Sequence, residues 1–221
     1  MGRYLTELVG TFFLVLTIGA VVVDGTALAP LAVGSTLTAL VYMGGHVSGA
    51  HYNPAVTLGF WLRGGMRRSD AIPYVAAQLF GAWLAAGAVQ LLTGDTFALA
   101  PGDGVGSAQA LLAEVLFTFA LVLVILNVAI SEATAGNQYY GLAIGLVVAG
   151  GAFTVGDISG GAFNPAVGTG PLVVHALAGS GGLGDVWLYW VGPVIGALAA
   201  VAAFGVQEGR GTGGARAPAA E

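Results

Sequence analysis

The sequence contains no cysteine, and only 8% of its 221 residues are charged. Without cysteine the chain cannot form disulfides, thiolate metal sites or a thiol nucleophile. The three histidines are too scattered to indicate a metal cluster, and the small net charge of −5 gives no support for a nucleic-acid partner. Soluble domains carry about 25% charged residues. Because 57% of this chain is also hydrophobic, the composition indicates an integral membrane protein.

Long apolar runs follow one another along the chain. A helix needs about 20 apolar residues to cross a hydrocarbon core about 30 Å thick. The run after Arg3 is long enough to span a bilayer, so we do not interpret it as a cleaved signal peptide. We predict an all-α membrane protein with six spanning helices, at Tyr4–Val23, Leu31–His46, Ile72–Thr93, Gln109–Ile130, Tyr140–Val155 and Asp185–Val206.

Two short stretches share the triplet Asn-Pro-Ala. The first triplet is Asn53, Pro54 and Ala55, and the second is Asn164, Pro165 and Ala166. Asparagine caps the free backbone N–H groups of a helix start, and proline is favoured at the first helical position. The apolar pieces that follow, Pro54–Leu62 and Pro165–Leu177, are too short to cross the membrane. They are therefore predicted to be re-entrant half-helices.

The two halves of the chain repeat each other. The pattern Glu-x-x-x-Thr-Phe begins at Glu7 in the first span and at Glu114 in the fourth. Each half has three spans and one half-helix, and an odd number of spans gives the halves opposite orientations. Inverted repeats with broken helices place the functional site near the midplane. We predict one channel domain over residues 1–207, with repeats at about 4–93 and 109–207, and a disordered cytoplasmic tail over 208–221.

All the basic residues of the chain are arginines. In the six-span topology they fall on one side of the membrane, in the N-terminus, in the loop before the third span and in the tail: Arg3, Arg63, Arg67, Arg68, Arg210 and Arg216. The positive-inside rule then predicts that both termini are cytoplasmic.

The two Asn-Pro-Ala stretches predict a narrow polar path. The Gly-rich segments before them are predicted to expose backbone carbonyls, at Gly49, Ala50, His51, Gly160, Gly161 and Ala162. Two half-helix dipoles and the amide donors of Asn53 and Asn164 would meet at the centre. Such a path suits a single file of small neutral molecules and opposes cations. Glu7 and Glu114 are ionisable groups inside spans, where a proton relay is conceivable, but their symmetric positions favour a structural role in bracing backbone N–H groups.

These motifs resemble the major intrinsic protein, or aquaporin, family. The resemblance rests on the paired Asn-Pro-Ala stretches, the repeated Glu-x-x-x-Thr-Phe and the last-span sequence from Trp187 to Pro193, and it covers residues 3–207. It implies the aquaporin-like fold, with six spanning helices and two half-helices in an inverted repeat. It also implies a homotetramer in the lipid bilayer, one pore per subunit and passive conduction without a cofactor.

The family spacing implies an outer selectivity filter that departs from the water-selective pattern. The filter positions fall on Val33, Ala152, Gly161 and Val167. Water-selective members have arginine where this chain has Val167, and the valine is similar to that of plant vacuolar members with broad permeability. An apolar filter without arginine predicts passage of water and of small neutral solutes such as urea, ammonia, hydrogen peroxide or glycerol. Gly168, however, stands where glycerol facilitators have an acidic residue.

Other classes of function stay open beside this interpretation. A strictly water-selective aquaporin is the first alternative. An ion-coupled secondary transporter is the second, because such transporters also use inverted repeats and broken helices. An enzyme is disfavoured, since the sequence has no plausible nucleophile–base pair, metal cluster or phosphate-binding loop.

Overall fold

The structure, a computed structural model, describes residues 1–209 and contains α-helices with short π and 3-10 turns and no strand within that range. The α-helices, numbered in chain order, are α1 Gly2–Asp24, α2 Ala29–Ser48, α3 Pro54–Leu62, α4 Arg68–Thr93, α5 Ser107–Ile125, α6 Tyr140–Ser159, α7 Pro165–Leu177 and α8 Leu188–Gln207. Six of them are long and two are short, so the predicted fold class is confirmed. Residues 210–221 of the predicted tail lie outside the described range.

The short helices α3 and α7 have the predicted bounds, and each begins directly after its capping asparagine. The long helices differ from the predicted spans only near their ends. The second and fifth spans extend to Ser48 and Ser159, where each helix ends at a left-handed glycine, Gly49 or Gly160. The fourth span continues past α5 as a π turn over Leu126–Ile130.

Five of the long helices are apolar enough to cross a membrane by length and composition, and α2 is the long helix outside this group. α2 has 20 residues and no Asp, Glu, Lys or Arg. Its mean hydropathy is lowered by serine, threonine and glycine residues and by Tyr42 and His46. Length and the lack of charge still suit α2 to a bilayer, and small residues favour close packing against neighbouring helices.

The two repeats pack in the same way. In the first half α1 packs along α4, and in the second half α5 packs along α8. Glycine makes both crossings possible: a Cβ on Gly81 would lie 2.4 Å from the carbonyl oxygen of Leu8, and one on Gly196 would lie 2.5 Å from that of Val115. α2 packs against α6 and joins the halves. The repeated crossings agree with the duplicated unit predicted from the sequence.

The starts of α1 and α4 and the end of α8 lie at one end of the bundle. Arg3 forms an ion pair with Asp70 at 2.9 Å, which ties the start of α1 to that of α4. Arg63, just after α3, lies over the ring of Phe204 near the end of α8, with 4.9 Å from guanidinium carbon to ring centroid. This end of the bundle, called the arginine face below, therefore carries the arginines at 3, 63, 67 and 68.

Candidate pore

The two half-helices meet head to head through their capping asparagines. The side-chain nitrogen of Asn53 donates to the carbonyl oxygen of Phe163 at 2.8 Å, and that of Asn164 donates to the carbonyl oxygen of Tyr52 at 2.9 Å. Each asparagine thus binds the backbone that leads into the opposite half-helix. These reciprocal bonds fix the two helix starts against each other near the middle of the bundle.

The remaining polar atoms of the two amides have defined roles. The side-chain oxygen of Asn53 accepts from the backbone N–H of Ala55 at 2.8 Å, and that of Asn164 accepts from Ala166 at 2.9 Å. A primary amide has two N–H donors. One donor of each amide is used in the reciprocal bonds, so one donor is left on each side chain for a molecule beside it.

Left-handed backbone shapes the segments that lead into the half-helices. The residues with positive φ fall in matching pairs, at Gly49 and Gly160, Ala50 and Gly161, and Tyr52 and Phe163. This conformation costs a residue other than glycine about 1–2 kcal/mol, so other contacts must hold it. Within these irregular segments, the carbonyls of Tyr52 and Phe163 accept from the asparagine amides of the opposite half.

Two buried carboxylates hold the N–H groups of these segments. Glu7 accepts from the backbone N–H groups of His51 at 3.0 Å and Tyr52 at 2.7 Å. Glu114 accepts from those of Ala162 at 3.0 Å and Phe163 at 2.7 Å. Because an unpartnered buried polar group costs free energy, each carboxylate stabilises the left-handed turns of its own half.

Hydroxyl groups complete both carboxylate sites. The hydroxyls of Ser48 and Ser159 each donate to the carboxylate of their own half at 2.7 Å. Tyr74 donates to the Ser48 carbonyl at 2.8 Å, and Tyr189 donates to the Ser159 carbonyl at 2.7 Å. The two tyrosines are therefore equivalent residues of the repeat, a pairing that the sequence analysis missed.

The first half has a further polar cluster that the second half lacks. Gln78 donates to Glu7 at 2.8 Å and to the hydroxyl of Thr57 at 2.9 Å. The Thr57 hydroxyl also donates to the Asn53 carbonyl at 3.1 Å and lies 3.1 Å from Nδ1 of His51. The Thr57 hydroxyl therefore joins Gln78, the His51 ring and the Asn53 carbonyl in one buried cluster.

A narrow cavity runs beside the side chains of Asn53 and Asn164, which both line it. The space in it that is open to the centres of water-sized molecules is about 30 Å³. Its other walls are apolar side chains and the re-entrant backbone, and among the described residues no charged side chain lines it. The positive ends of α3 and α7 point to the same place. The cavity can therefore pass small neutral molecules in single file, and a cation would meet two unfavourable dipoles.

A wider cavity adjoins the narrow one. It has a volume of about 480 Å³ and shares Ala50, Val56, Ile125 and Ile144 with the central cavity. Its other lining includes His46 and the π turn that follows α5. Side chains of the next loop bind the carbonyls that this turn frees, as when Asn137 donates to the Val128 carbonyl at 2.7 Å. The wider cavity is a vestibule at the arginine face.

The predicted carbonyl-bearing residues divide between these cavities. Ala50, His51 and Ala162 line the central cavity. Gly49 lines the vestibule. Gly160 and Gly161 line neither of the two cavities.

The four predicted filter residues are only partly brought together. Val167 lines the central cavity and is 1% exposed. A Cβ on Gly161 would lie 3.6 Å from the Cα of Ala152, so these two residues are neighbours. Val33 is a buried residue of α2, and the central cavity is not lined by Val33, Ala152 or Gly161.

Apart from Val167, sequence analysis missed the apolar wall of the central cavity. Six of its side chains form pairs related by the repeat: Leu14 with Leu121, Leu37 with Val148, and Val56 with Val167. The first pair lies seven residues after Glu7 and Glu114, and the others lie at equal distances from Asn53 and Asn164. Superposing the two halves pairs these residues, but it pairs core residues such as Val15 and Val122 in the same way, so neither symmetry nor hydrophobicity separates the wall from the core.

Comparison with known proteins gives one consistent result. A family model described as Major intrinsic protein matches residues 1–204. Aquaporin AqpM of Methanothermobacter thermautotrophicus is 35% identical over 235 residues, which cover 91% of this chain and 95% of the relative. Glycerol uptake facilitator protein-like 6 of Lactiplantibacillus plantarum is 36% identical over 210 residues, which cover 90% of this chain and 95% of the relative.

A solved structure has the same fold. The X-ray structure of the aquaglyceroporin from Plasmodium falciparum superposes with a TM-score of 0.75 at 23% identity, over 90% of this chain and 91% of that chain. The predicted resemblance is thus confirmed by sequence and by fold. Because the family model covers nearly all of the described residues, the chain belongs to the major intrinsic protein family.

Proposed function

We propose that the chain is a passive transmembrane channel for water and for small neutral solutes such as urea, ammonia, hydrogen peroxide and glycerol. The observation that carries the proposal is the narrow central cavity, in which the amides of Asn53 and Asn164 lie beside a mainly apolar wall that also includes His51 and Tyr52 of the re-entrant segment. Each amide has one N–H left to donate, and its oxygen already accepts from a backbone N–H. A molecule passing the pair must turn an acceptor towards it, which interrupts a proton wire.

The solute range rests on the outer filter of Val33, Ala152, Gly161 and Val167. None of these side chains is charged or donates a hydrogen bond. An arginine at position 167 would add a fixed charge and strong donors for solute oxygens. Without this arginine, solutes should be selected mainly by their size. One relative is named an aquaporin and another a glycerol uptake facilitator, which supports water and small solutes as permeants.

A strictly water-selective pore is the second candidate. The narrowness of the central cavity supports it, because only about 30 Å³ there is open to the centres of water-sized molecules. An ion-coupled transporter is less well supported. The carboxylate oxygens of Glu7 and Glu114 accept from backbone N–H groups, so they are poorly available as ligands for a coupling ion.

The family and the charge pattern extend the proposal to assembly and orientation. We infer one channel domain over residues 1–207, a homotetramer with one pore per subunit, and cytoplasmic termini. The arginine face supports this orientation through the positive-inside rule. The lipid bilayer and the permeating molecules are the partners of this channel, and the proposed mechanism needs no cofactor or metal.

Stopped-flow light scattering on proteoliposomes tests the permeants. Shrinkage in an impermeant osmolyte measures water flux, and re-swelling in urea or glycerol measures solute flux. We expect both, and we expect Val167→Arg to reduce re-swelling by about an order of magnitude while shrinkage persists. Val167→Leu is the control, because it adds volume without charge.

Two results would contradict the proposal. Fast shrinkage without re-swelling in the wild type would show that the pore passes water alone. The inference that Val167 allows small solutes to pass would then be wrong. Accumulation of solute driven by a proton or sodium gradient would assign the chain to the transporters.

A further inference from the structure

A concave apolar groove runs along the outside of the bundle between α3 and α4. Its volume is about 360 Å³. α3 contributes Thr57, Leu58 and Trp61, and α4 contributes Ile72, Ala76 and Leu79. Ile72 is 75% exposed, so the groove faces out of the protein. This surface is called the α3/α4 groove below.

The depth of the α3/α4 groove matches one leaflet of a bilayer. α3 has nine residues and is therefore about 14 Å long. It begins at Asn53, beside the central cavity, and ends near Arg63 at the arginine face. A hydrocarbon core about 30 Å thick has leaflets about 15 Å deep. The groove thus has the length of an acyl chain that hangs from the arginine face to the midplane.

A cation stands at the open end of the groove. The guanidinium carbon of Arg68 lies 5.7 Å from the ring centroid of Trp61. Ala71 and Ile72, which follow Arg68 by three and four residues on the same helix, also line the groove. Within residues 1–209, the arginines that pair with a carboxylate are Arg3 and Arg67, both with Asp70. The charge of Arg68 is therefore available to an outside anion.

We propose that the α3/α4 groove is a binding site for one anionic phospholipid per subunit. The acyl chain lies along α3 and α4, and the phosphate group lies against Arg68 above the indole of Trp61. Membrane-surface arginines attract anionic headgroups, and tryptophan is favoured at the level of the headgroups. The lipid would cover the outward side of the half-helix that carries Asn53.

A second groove on the same helix gives an internal comparison. It lies between α4 and α7, has a volume of about 600 Å³ and is lined by Trp83, Ala88, Leu91, Val174 and Leu177 among others. Among the described residues, neither groove has a charged residue in its lining, but the α4 residues of this one lie in the second half of the helix, away from Arg68 and the arginine face. It can hold an acyl chain equally well, but it offers no cation to a headgroup. An anionic lipid is therefore expected to prefer the α3/α4 groove.

Native mass spectrometry of the full-length protein tests the site, with phosphatidylglycerol and phosphatidylcholine of matched acyl chains as probes. We expect each wild-type subunit to retain one more molecule of phosphatidylglycerol than of phosphatidylcholine. Arg68→Gln removes the cation, and Ala76→Trp fills the groove. Each should lose that one phosphatidylglycerol per subunit. Ala88→Trp is the matched control in the other groove and should retain it.

Several outcomes would overturn the proposal. Equal retention of the two lipids by the wild type would remove the role of charge, and unchanged retention by Arg68→Gln would remove the role of that arginine. Equal loss from Ala76→Trp and Ala88→Trp would show non-specific lipid contact. A change of subunit number with Ala76→Trp would assign the groove to a second copy of the chain. Binding of inorganic phosphate with the same Arg68 dependence and without Ala76 dependence would assign the site to a free anion.

This proposal does not depend on which solutes the pore passes. The retained lipid is counted directly, so the result is distinct from the re-swelling assay that tests the channel function.

Discussion

The hydrogen bonds of Glu114 allow a quantitative prediction for Glu114→Gln. The carboxylate accepts three bonds, from the Ser159 hydroxyl, the Ala162 N–H and the Phe163 N–H. A glutamine replaces one acceptor oxygen by an NH₂ group of nearly the same size. If the NH₂ group replaces the oxygen beside Phe163, it faces a backbone donor. If it replaces the other oxygen, the Ser159 hydroxyl can turn to accept from it, but the Ala162 N–H is left without an acceptor.

Either orientation leaves one buried backbone N–H unpartnered. Such a group costs about 1–3 kcal/mol, and a smaller loss is unexpected because Glu114 is fully buried. Glu7→Gln should cost a similar amount, since Glu7 also accepts from two backbone N–H groups, those of His51 and Tyr52. Glu132→Gln is the control. Its side chain is exposed, and exposed substitutions usually change stability by about 0.5 kcal/mol or less.

The free energy of unfolding can be measured by titrating the detergent-solubilised protein with sodium dodecyl sulfate and following its circular dichroism. Proteoliposome shrinkage, measured on the same preparations, should slow because the turns before Asn164 loosen. Glu114→Gln with wild-type stability and wild-type water flux would refute the role assigned to the carboxylate. Slower flux with unchanged stability would also count against it, since it would indicate a direct part in conduction.

Two further predictions concern the backbone. Gly81→Ala places a methyl group 2.4 Å from the Leu8 carbonyl oxygen, so it should lower the unfolding temperature. Gly87→Ala on the same helix is the control: its methyl group enters open space, and it should be neutral or stabilise the fold by up to about 1 kcal/mol. Equal effects of the two substitutions would contradict the close crossing of α1 and α4. Ala50 has a left-handed backbone with φ of 51°, and Ala50→Gly removes the steric strain of that conformation. After the entropy cost of glycine, the substitution should stabilise the fold by up to about 1 kcal/mol in thermal unfolding. A clear loss of stability would contradict this reasoning.

The fold could be predicted because local chemistry determines it. Asparagine is a strongly preferred helix cap, and proline is favoured as the first helical residue, so the predicted starts of α3 and α7 after Asn53 and Asn164 agree with the structure. The spans follow from length and apolar composition. The exact helix ends were less predictable, as at Leu188, where the last span starts three residues after the predicted Asp185.

The interior of the pore could be predicted less well, because it depends on contacts between distant residues. Nothing local in the sequence indicates that the amide of Asn53 donates to the carbonyl of Phe163. The apolar wall raises a different difficulty. Leu14 and Leu121 belong to the central cavity, yet a buried leucine beside water and one in a dry core give the same pattern. Equivalent positions in the two repeats do not distinguish them either, because core residues such as Val15 and Val122 are equivalent too.

The departures from symmetry are where selectivity can arise. In the first half Thr57 follows Asn53 by four residues, and its hydroxyl joins Gln78 and the His51 ring. In the second half the same position is Gly168, where a Cβ would lie 2.2 Å from the Cβ of Tyr189.

The tyrosine therefore excludes any side chain at position 168, including the acidic residue that the glycerol branch carries there. Tyr189 is in turn held by its bond to the Ser159 carbonyl, within the turn that Glu114 stabilises. A second half built from Gly161, Ala162 and Gly168 presents few polar side chains to a solute. If glycerol or urea passes this channel, we expect selection to depend on the width of the proposed outer filter, which is why Val167→Arg and Val167→Leu together test the mechanism.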